Sequence, residues 1–327
     1  MRKNILLIGG AGYVGTELSK ILIKNNYDVT VYDLFIYGQT LPLNQNNLKL
    51  IKGDIRDINY LRGLIKNFDF VIHLACISND PSFDLDPLLG KSINFDPFED
   101  LVKTCRECGV KRFIYASSSS VYGVKKDLEV TENASLDPLT EYSRFKVKCE
   151  EILYKYSTDN FVCTSVRPAT VCGFSNRQRL DLVVNILTNN AFNKGEITIF
   201  GGSQLRPNIH ISDMCEAYIR ILNAEANLVK NESFNVGFEN YTVEYLADLV
   251  NGCLGGDINI VKKNSDDLRS YHISSKKIKK VIGFEPNFTI KDGIIDLINA
   301  FKKKLLINPL ENEMYFNIKR MKSINLK

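Results

Sequence analysis

The sequence predicts an α/β fold: a doubly wound parallel sheet with a smaller, interwoven C-terminal substrate-binding region. Three observations predict it. Short β-rich runs alternate with segments of helical spacing through the first half of the chain. One run, residues 68–74, is almost continuously apolar, as a strand buried on both faces is. A glycine-rich turn, Gly9-Gly10-Ala11-Gly12-Tyr13-Val14-Gly15, joins the first strand to the first helix.

In order, Asn4–Ile8 reads as a strand, Tyr13–Lys24 as a helix, and residues 29–33 as a strand ending in an acid. Leu48–Lys52 is a third strand, residues 58–66 a helix, and residues 68–74 a fourth strand. Residues 87–108 read as one long helix, Arg112–Ala116 as a strand, residues 138–156 as a helix and residues 161–166 as a strand. Right-handed crossovers then place a ligand at the carboxyl ends of the strands. Beyond residue 170 the alternation weakens. Residues 181–190, Ile211–Asn223 and residues 243–251 read as helices, and Glu196–Phe200 as a strand before a Gly201-Gly202 turn. The expected organisation is a sheet domain over residues 1–170, a substrate-binding region over 171–310, and a loosely held tail over 311–327.

With 327 residues, 44% of them hydrophobic, the chain can bury a sizeable core. Its net charge of +4 is spread out, and the lysines at 276–280 and 302–304 read as solvated faces, so a nucleic-acid partner is not expected. No apolar run approaches the roughly 18 residues of a membrane span, and residues 5–8 are too few for a secretory signal. The chain is expected to be soluble and cytoplasmic. The eight cysteines are dispersed in mostly apolar contexts and read as small buried hydrophobes. Cys105 and Cys108 form a CxxC in a helical stretch without a second pair, so no metal site is expected.

The glycine turn carries a cofactor reading. Gly9 allows the tight turn, Gly12 lets the backbone approach a pyrophosphate, and Gly15 permits close packing of helix on strand. The helix amino end, with Tyr13 and Val14, offers N–H groups to phosphate. Asp33, at the end of the second strand, is placed to accept hydrogen bonds from the adenine-ribose hydroxyls and to repel a 2′-phosphate. The unit is therefore a Rossmann domain for NAD rather than NADP. Asp54, in Gly53-Asp54-Ile55, reads equally as an adenine contact or as the cap of the following helix.

Tyr142-Ser143-Arg144-Phe145-Lys146 is a YxxxK, which puts Tyr142 and Lys146 on one helix face. A tyrosine with a pKa near ~10 becomes a base at neutral pH only if positive charge favours the phenolate. A downward shift of ~3 units corresponds to roughly 4 kcal/mol, which Lys146 and an oxidised nicotinamide are expected to supply. Ser117-Ser118-Ser119-Ser120-Val121-Tyr122-Gly123 follows a buried strand and offers a serine at the sheet edge to hold a substrate hydroxyl for Tyr142.

Together with Gly53-Asp54-Ile55-Arg56-Asp57, His73-Leu74-Ala75, Arg167-Pro168 and Arg206-Pro207-Asn208-Ile209-His210-Ile211-Ser212-Asp213, these motifs resemble the extended short-chain dehydrogenase/reductases, specifically the NAD-dependent nucleotide-sugar epimerases and dehydratases. The resemblance runs from Asn4 to about Leu297. It implies Ser118, Tyr142 and Lys146 as the catalytic set, with Lys146 also binding the nicotinamide ribose. It implies Leu74, Ala75, Ser117 and Pro168 as cofactor-lining positions beside Ile55, and Asn94 as a support of the site. For the substrate it implies Arg206 and Arg269 on a diphosphate, where a planar guanidinium fork suits two oxygens. Ser119, Thr170 and Arg179 complete the expected substrate contacts, with Arg177 and the loop 176–181 shaping the base pocket. His210 and His73 read as structural. A homodimer through the helices at 87–108 and 138–156 is also implied.

Departures from the family pattern narrow the chemistry. The family's 4,6-dehydratases carry an Asp-Glu pair where this chain has Ser119 and Ser120, and unassisted hydroxyls cannot eliminate water. Its 3,5-epimerase-reductases carry a reactive cysteine where this chain has Ser120. Thr170 stands where many 4-epimerases have Asn. The expectation is NAD-dependent oxidation at C4 of a nucleoside-diphosphate sugar, by a 4-epimerase. The alternatives are a net 4-dehydrogenase, a 4-ketosugar reductase, or a non-catalytic NAD-binding protein.

Overall fold

The computed structural model describes residues 2–42, 45–125, 129–264 and 272–327. The chain begins β1 (Asn4–Ile8), α1 (Tyr13–Lys24), β2 (Asp28–Asp33), β3 (Leu48–Lys52), α2 (Ile58–Ile65) and β4 (Phe70–His73). It continues α3 (Asp80–Phe83), α4 (Pro87–Asn94), α5 (Phe98–Glu107), β5 (Arg112–Ala116), α6 (Glu141–Tyr156) and β6 (Val162–Pro168). Then come β7 (Thr170–Cys172), α7 (Val183–Lys194), β8 (Glu196–Phe200), β9 (Leu205–His210), α8 (Ile211–Asn223), α9 (Ala226–Val229) and β10 (Glu232–Val236). The last elements are β11 (Glu239–Thr242), α10 (Val243–Cys253), β12 (Asn259–Lys263), α11 (Lys276–Ile282), α12 (Ile290–Lys302) and α13 (Asn317–Ser323).

Seven strands form one parallel sheet in the order β3-β2-β1-β4-β5-β6-β10. The order reverses between β1 and β4, the point where such sheets open a ligand crevice. Strand periodicity divides the core. Ile5 and Leu7 point into one apolar cluster with α1 and α8, and Leu6 and Ile8 into another with α2, α5 and α6. A third cluster, from α7, β8, α10 and α12, fills the C-terminal region.

The two regions are interwoven. β10 pairs with β6, and Tyr218 and Leu222 of α8 join the cluster that holds Leu18 and Leu22 of α1. Small sheets of β7, β9, β11 and of β8, β12 complete the second region.

Two expectations are corrected. The single helix over residues 87–108 is two helices, α4 and α5, interrupted at Phe95-Asp96-Pro97. Pro97 has no N–H to give and biases Asp96 away from helix. The break also frees Asn94, whose side chain turns back onto Ile77. The residues after 310 are not loosely held. They form a 3₁₀ turn (Glu313–Tyr315) and α13, with Asn317 and Met321 buried. The Tyr315 oxygen accepts from Leu180 N, and Arg320 Nε donates to the Ile36 oxygen.

Candidate active site

A cleft of about 490 Å³ opens at the carboxyl ends of β1, β2, β4, β5 and β6. Its floor is the glycine turn. Gly9 has φ +80°, and a Cβ there would lie 2.3 Å from the Ala75 nitrogen. A Cβ on Gly15 would lie 2.6 Å from Gly10 Cα, so α1 can pack this close only with glycine. No side chain caps α1, which leaves its first N–H groups to a ligand.

Asp33 sits beside this turn. One carboxylate oxygen accepts from Ala11 N at 3.0 Å and the other from Phe35 N at 2.8 Å. Burial pushes its pKa up, while these two N–H groups and the Arg177 guanidinium pull it back. Lone pairs remain on both oxygens for ribose hydroxyls.

Across the cleft, Thr140 caps α6 by accepting from Ser143 N, and its own hydroxyl donates to Asp80 at 2.5 Å. The helix so anchored carries Tyr142 and Lys146 on its buried face. The Lys146 ammonium donates to the Ala116 oxygen at 2.6 Å and lies 5.6 Å from the centre of the Tyr142 ring. Ser118 follows β5 in extended backbone, with Oγ 2.8 Å from Ser120 Oγ and accepting from Ser120 N. Ser117 Oγ is buried on the cleft wall without a partner.

Tyr142 is buried in the cleft wall. Its pKa stands well above the usual phenol value, first because the ring is buried, then because Cys76 and Asp80 face it. Arg179 pulls the other way. These surroundings favour the neutral phenol, and positive charge beside the ring works against them.

Nearly every expected site residue lines this one cleft: Gly9, Gly12, Tyr13, Val14, Gly15, Asp33, Ile55, Leu74, Ala75, Ser117, Ser118, Ser119, Tyr142, Lys146, Pro168, Thr170, Arg179 and Arg206. Asp54 does not. Its carboxylate is held by Arg56, and Asp57 rather than Asp54 caps α2. Arg269 lies outside the described residues. Asn94 supports the loop after β4 by accepting from Ile77 N and donating to Ile77 O. His210 caps α8 and meets Asp296, away from the cleft.

Two arginines also line the cleft. Arg179 pairs with Asp181 at 2.6 Å and donates to Ser78 Oγ at 2.8 Å. Burial alone would lower its pKa, but Asp181 outweighs that and raises it. Arg177 lies flat over the Tyr37 ring, 3.6 Å from its centre, and burial lowers its pKa to about 10. Sequence reasoning missed Tyr37, Ser78 and Asp80, and also Asn317 and Leu326, which the C-terminal segment brings into the cleft. No local motif marks any of them.

Sheet, cradle, Asp33 and the Ser118, Tyr142 and Lys146 set define a dinucleotide-dependent protein of the short-chain dehydrogenase/reductase class. The NAD dependent epimerase/dehydratase family model matches residues 5–237, and the chain belongs to that family. It is similar to the UDP-glucose 4-epimerase of Lactobacillus helveticus, 27% identical over 312 residues that span 89% of this chain and 94% of that one. In structure it is similar to the UDP-glucose 4-epimerase of Thermotoga maritima solved with UDP-glucose, with TM-score 0.83, 27% identity, and 93% and 100% of the two chains covered. It is also similar to MoeE5 in complex with UDP-glucose and NAD, with TM-score 0.81, 26% identity, and 93% and 100% covered. NAD is the cofactor, and the open glycine cradle with Asp33 fits it. Among the described residues no helix is long and apolar enough to cross a membrane, and no cluster of His, Cys, Asp and Glu could hold a metal ion.

Proposed function

We propose that the protein is a nucleotide-sugar 4-epimerase, with UDP-hexoses, the sugars named for its relatives, as the first substrates to test. The observation that carries the reading is the meeting of Ser118, Tyr142 and Lys146 on one wall of the cofactor cleft, with the hydroxyls of Ser119 and Ser120 beside them instead of carboxylates. When bound, NAD accepts a hydride from the substrate carbon and returns it.

The protein's own residues handle the proton. Tyr142 Oη takes the C4 hydroxyl proton, and Ser118 Oγ orients that hydroxyl. Lys146, fixed by the Ala116 oxygen, keeps positive charge near the phenol. After the sugar presents its other face, Tyr142 returns the proton. Arg206 and Arg179, which line the same cleft, supply guanidinium groups for the diphosphate.

The test is a coupled assay on UDP-glucose, UDP-galactose and their N-acetylated and uronic counterparts. The expected result is interconversion of C4 epimers with no net NADH. Stoichiometric NADH with a single oxidised product would replace the epimerase reading by the net dehydrogenase one. Tyr142→Phe is expected to lower kcat by about 10²–10⁴-fold, the range for loss of a general acid–base group, while NAD stays bound. Unchanged turnover in that variant would remove Tyr142 from the proton step, and no turnover of any of these sugars by the wild type would return the protein to the non-catalytic alternative.

A further inference from the structure

The C-terminal segment reaches the cleft with one polar side chain, Asn317, which is bonded on both its oxygen and its nitrogen. Asn317, 3% exposed at the start of α13, accepts from Arg177 Nη2 at 3.0 Å and donates to Ser78 Oγ at 3.1 Å. Its backbone N–H donates to Asp181 at 2.9 Å. One residue thus joins both cleft arginines, Arg177 directly and Arg179 through Ser78 and Asp181. The segment then runs on to Leu326, which also lines the cleft, and the Lys327 backbone oxygen accepts from Arg56 at 2.9 Å.

Arg177 is an unusual residue to hold in place. It is 3% exposed, makes no ion pair among the described residues, and its buried Nε has no partner. Asp33 and Asp181 lie near enough to favour its charge but neither pairs with it directly, so the buried guanidinium still lacks an anion at ion-pair distance. Its position names the anion. Ser175 Oγ donates to the Tyr13 oxygen and Asn176 N to Glu17, so the strand of chain leading into Arg177 is tied to the first turns of α1. That helix end is where the glycine turn receives a pyrophosphate.

We propose that Asn317 is a positioning residue that aims Arg177 at the dinucleotide's pyrophosphate, so that the C-terminal segment is part of the cofactor site and holds the dinucleotide in place through turnover. A retained dinucleotide is what a 4-epimerase requires, because the hydride must come back. The inference rests on NAD binding and not on the sugar chemistry.

NADH release, followed by fluorescence after a chase with excess NAD and without any sugar nucleotide, tests it. Failure of the epimerase reading therefore leaves this test intact. Asn317→Ala is expected to release NADH about tenfold faster, equivalent to roughly 1.4 kcal/mol, at a nearly unchanged melting temperature. Asn317→Asp separates positioning from mere structural support. It keeps an acceptor for Arg177 but pairs off the arginine's charge, so NADH release is expected to be faster than in the Ala variant while the protein stays folded. Under a purely structural role, Asp would restore wild-type retention. If the Ala variant fails to fold, Asn317→Asp decides alone. Arg177→Gln is expected to match Asn317→Ala, with no further loss in the double variant. NADH release within twofold of wild type in either Asn317→Asp or Arg177→Gln would overturn the proposal.

Discussion

His73 ends β4 directly beneath the reactive wall, packed on the rings of Phe98 and Tyr115. Burial, and secondarily the Lys146 ammonium, depress its pKa to about 3. The folded protein therefore refuses a proton that the unfolded chain takes up near pH 6.5. The stabilisation is complete above that pH and falls as pH drops towards 3, by up to roughly 1.4 kcal/mol per unit. Urea midpoints measured from pH 7.5 to 5 should decline in the wild type and decline less steeply in His73→Phe; equal slopes would reject the assignment. At this scale the sequence was readable wherever chemistry is local. The glycine turn and Tyr142 with Lys146 each sit within a few residues of what gives them meaning, and Asp33 follows the turn by one strand–helix unit. The setting of Tyr142 was not readable, because Cys76 and Asp80, which face it, come from another part of the chain. Arg177 and Asn317 are 140 residues apart, and neither has a neighbour that hints at the other.

The elements show the same division between local and distant causes. Helix and strand periodicity located α1, α6, α8 and the central strands, since each buries a regular face. Boundaries depended on single residues: Thr140 starts α6 after Pro138, and Pro97 divides α4 from α5. The Asp96-Pro97 pair was visible in the sequence, but apolar spacing on either side of it masked the break. Thr140 deserves a test of its own kind, because its hydroxyl links the α6 cap to Asp80 of α3 and so fixes the helix that carries Tyr142. Thr140→Ala is expected to cost about 1 kcal/mol of stability, as loss of an N-cap does. Thr140→Ser should restore it, read by chemical denaturation; an Ala variant as stable as wild type would show that the cap contributes nothing.

For the whole molecule, the parallel sheet followed from strand–helix alternation, while the path of the C-terminal segment had no periodic signal to announce it. The segments entering α4 and α6 carry exposed leucines, Leu85, Leu88 at 82% and Leu139. These helices come from the two segments from which the family resemblance implies a homodimer. We propose that interface, and light scattering at micromolar concentration should give twice the chain mass of 37.1 kDa. Leu88→Glu should shift it towards a monomer, whereas a monomeric wild type would refute the interface.

The weave of the two regions also governs how the protein is made. α8 and β10 lie far along the chain from the α1 and β6 against which they are set. A nascent chain that has emerged only as far as residue 170 carries the complete glycine turn but leaves one flank of α1 and one edge of the sheet bare. Such a chain exposes the unpaired outer edge of β6 and a strip of leucines to whatever else is in the cell. Synthesis must pass residue 236 before those surfaces can be covered, so the cofactor half matures late, and chaperone dependence is expected to be greatest between those two points.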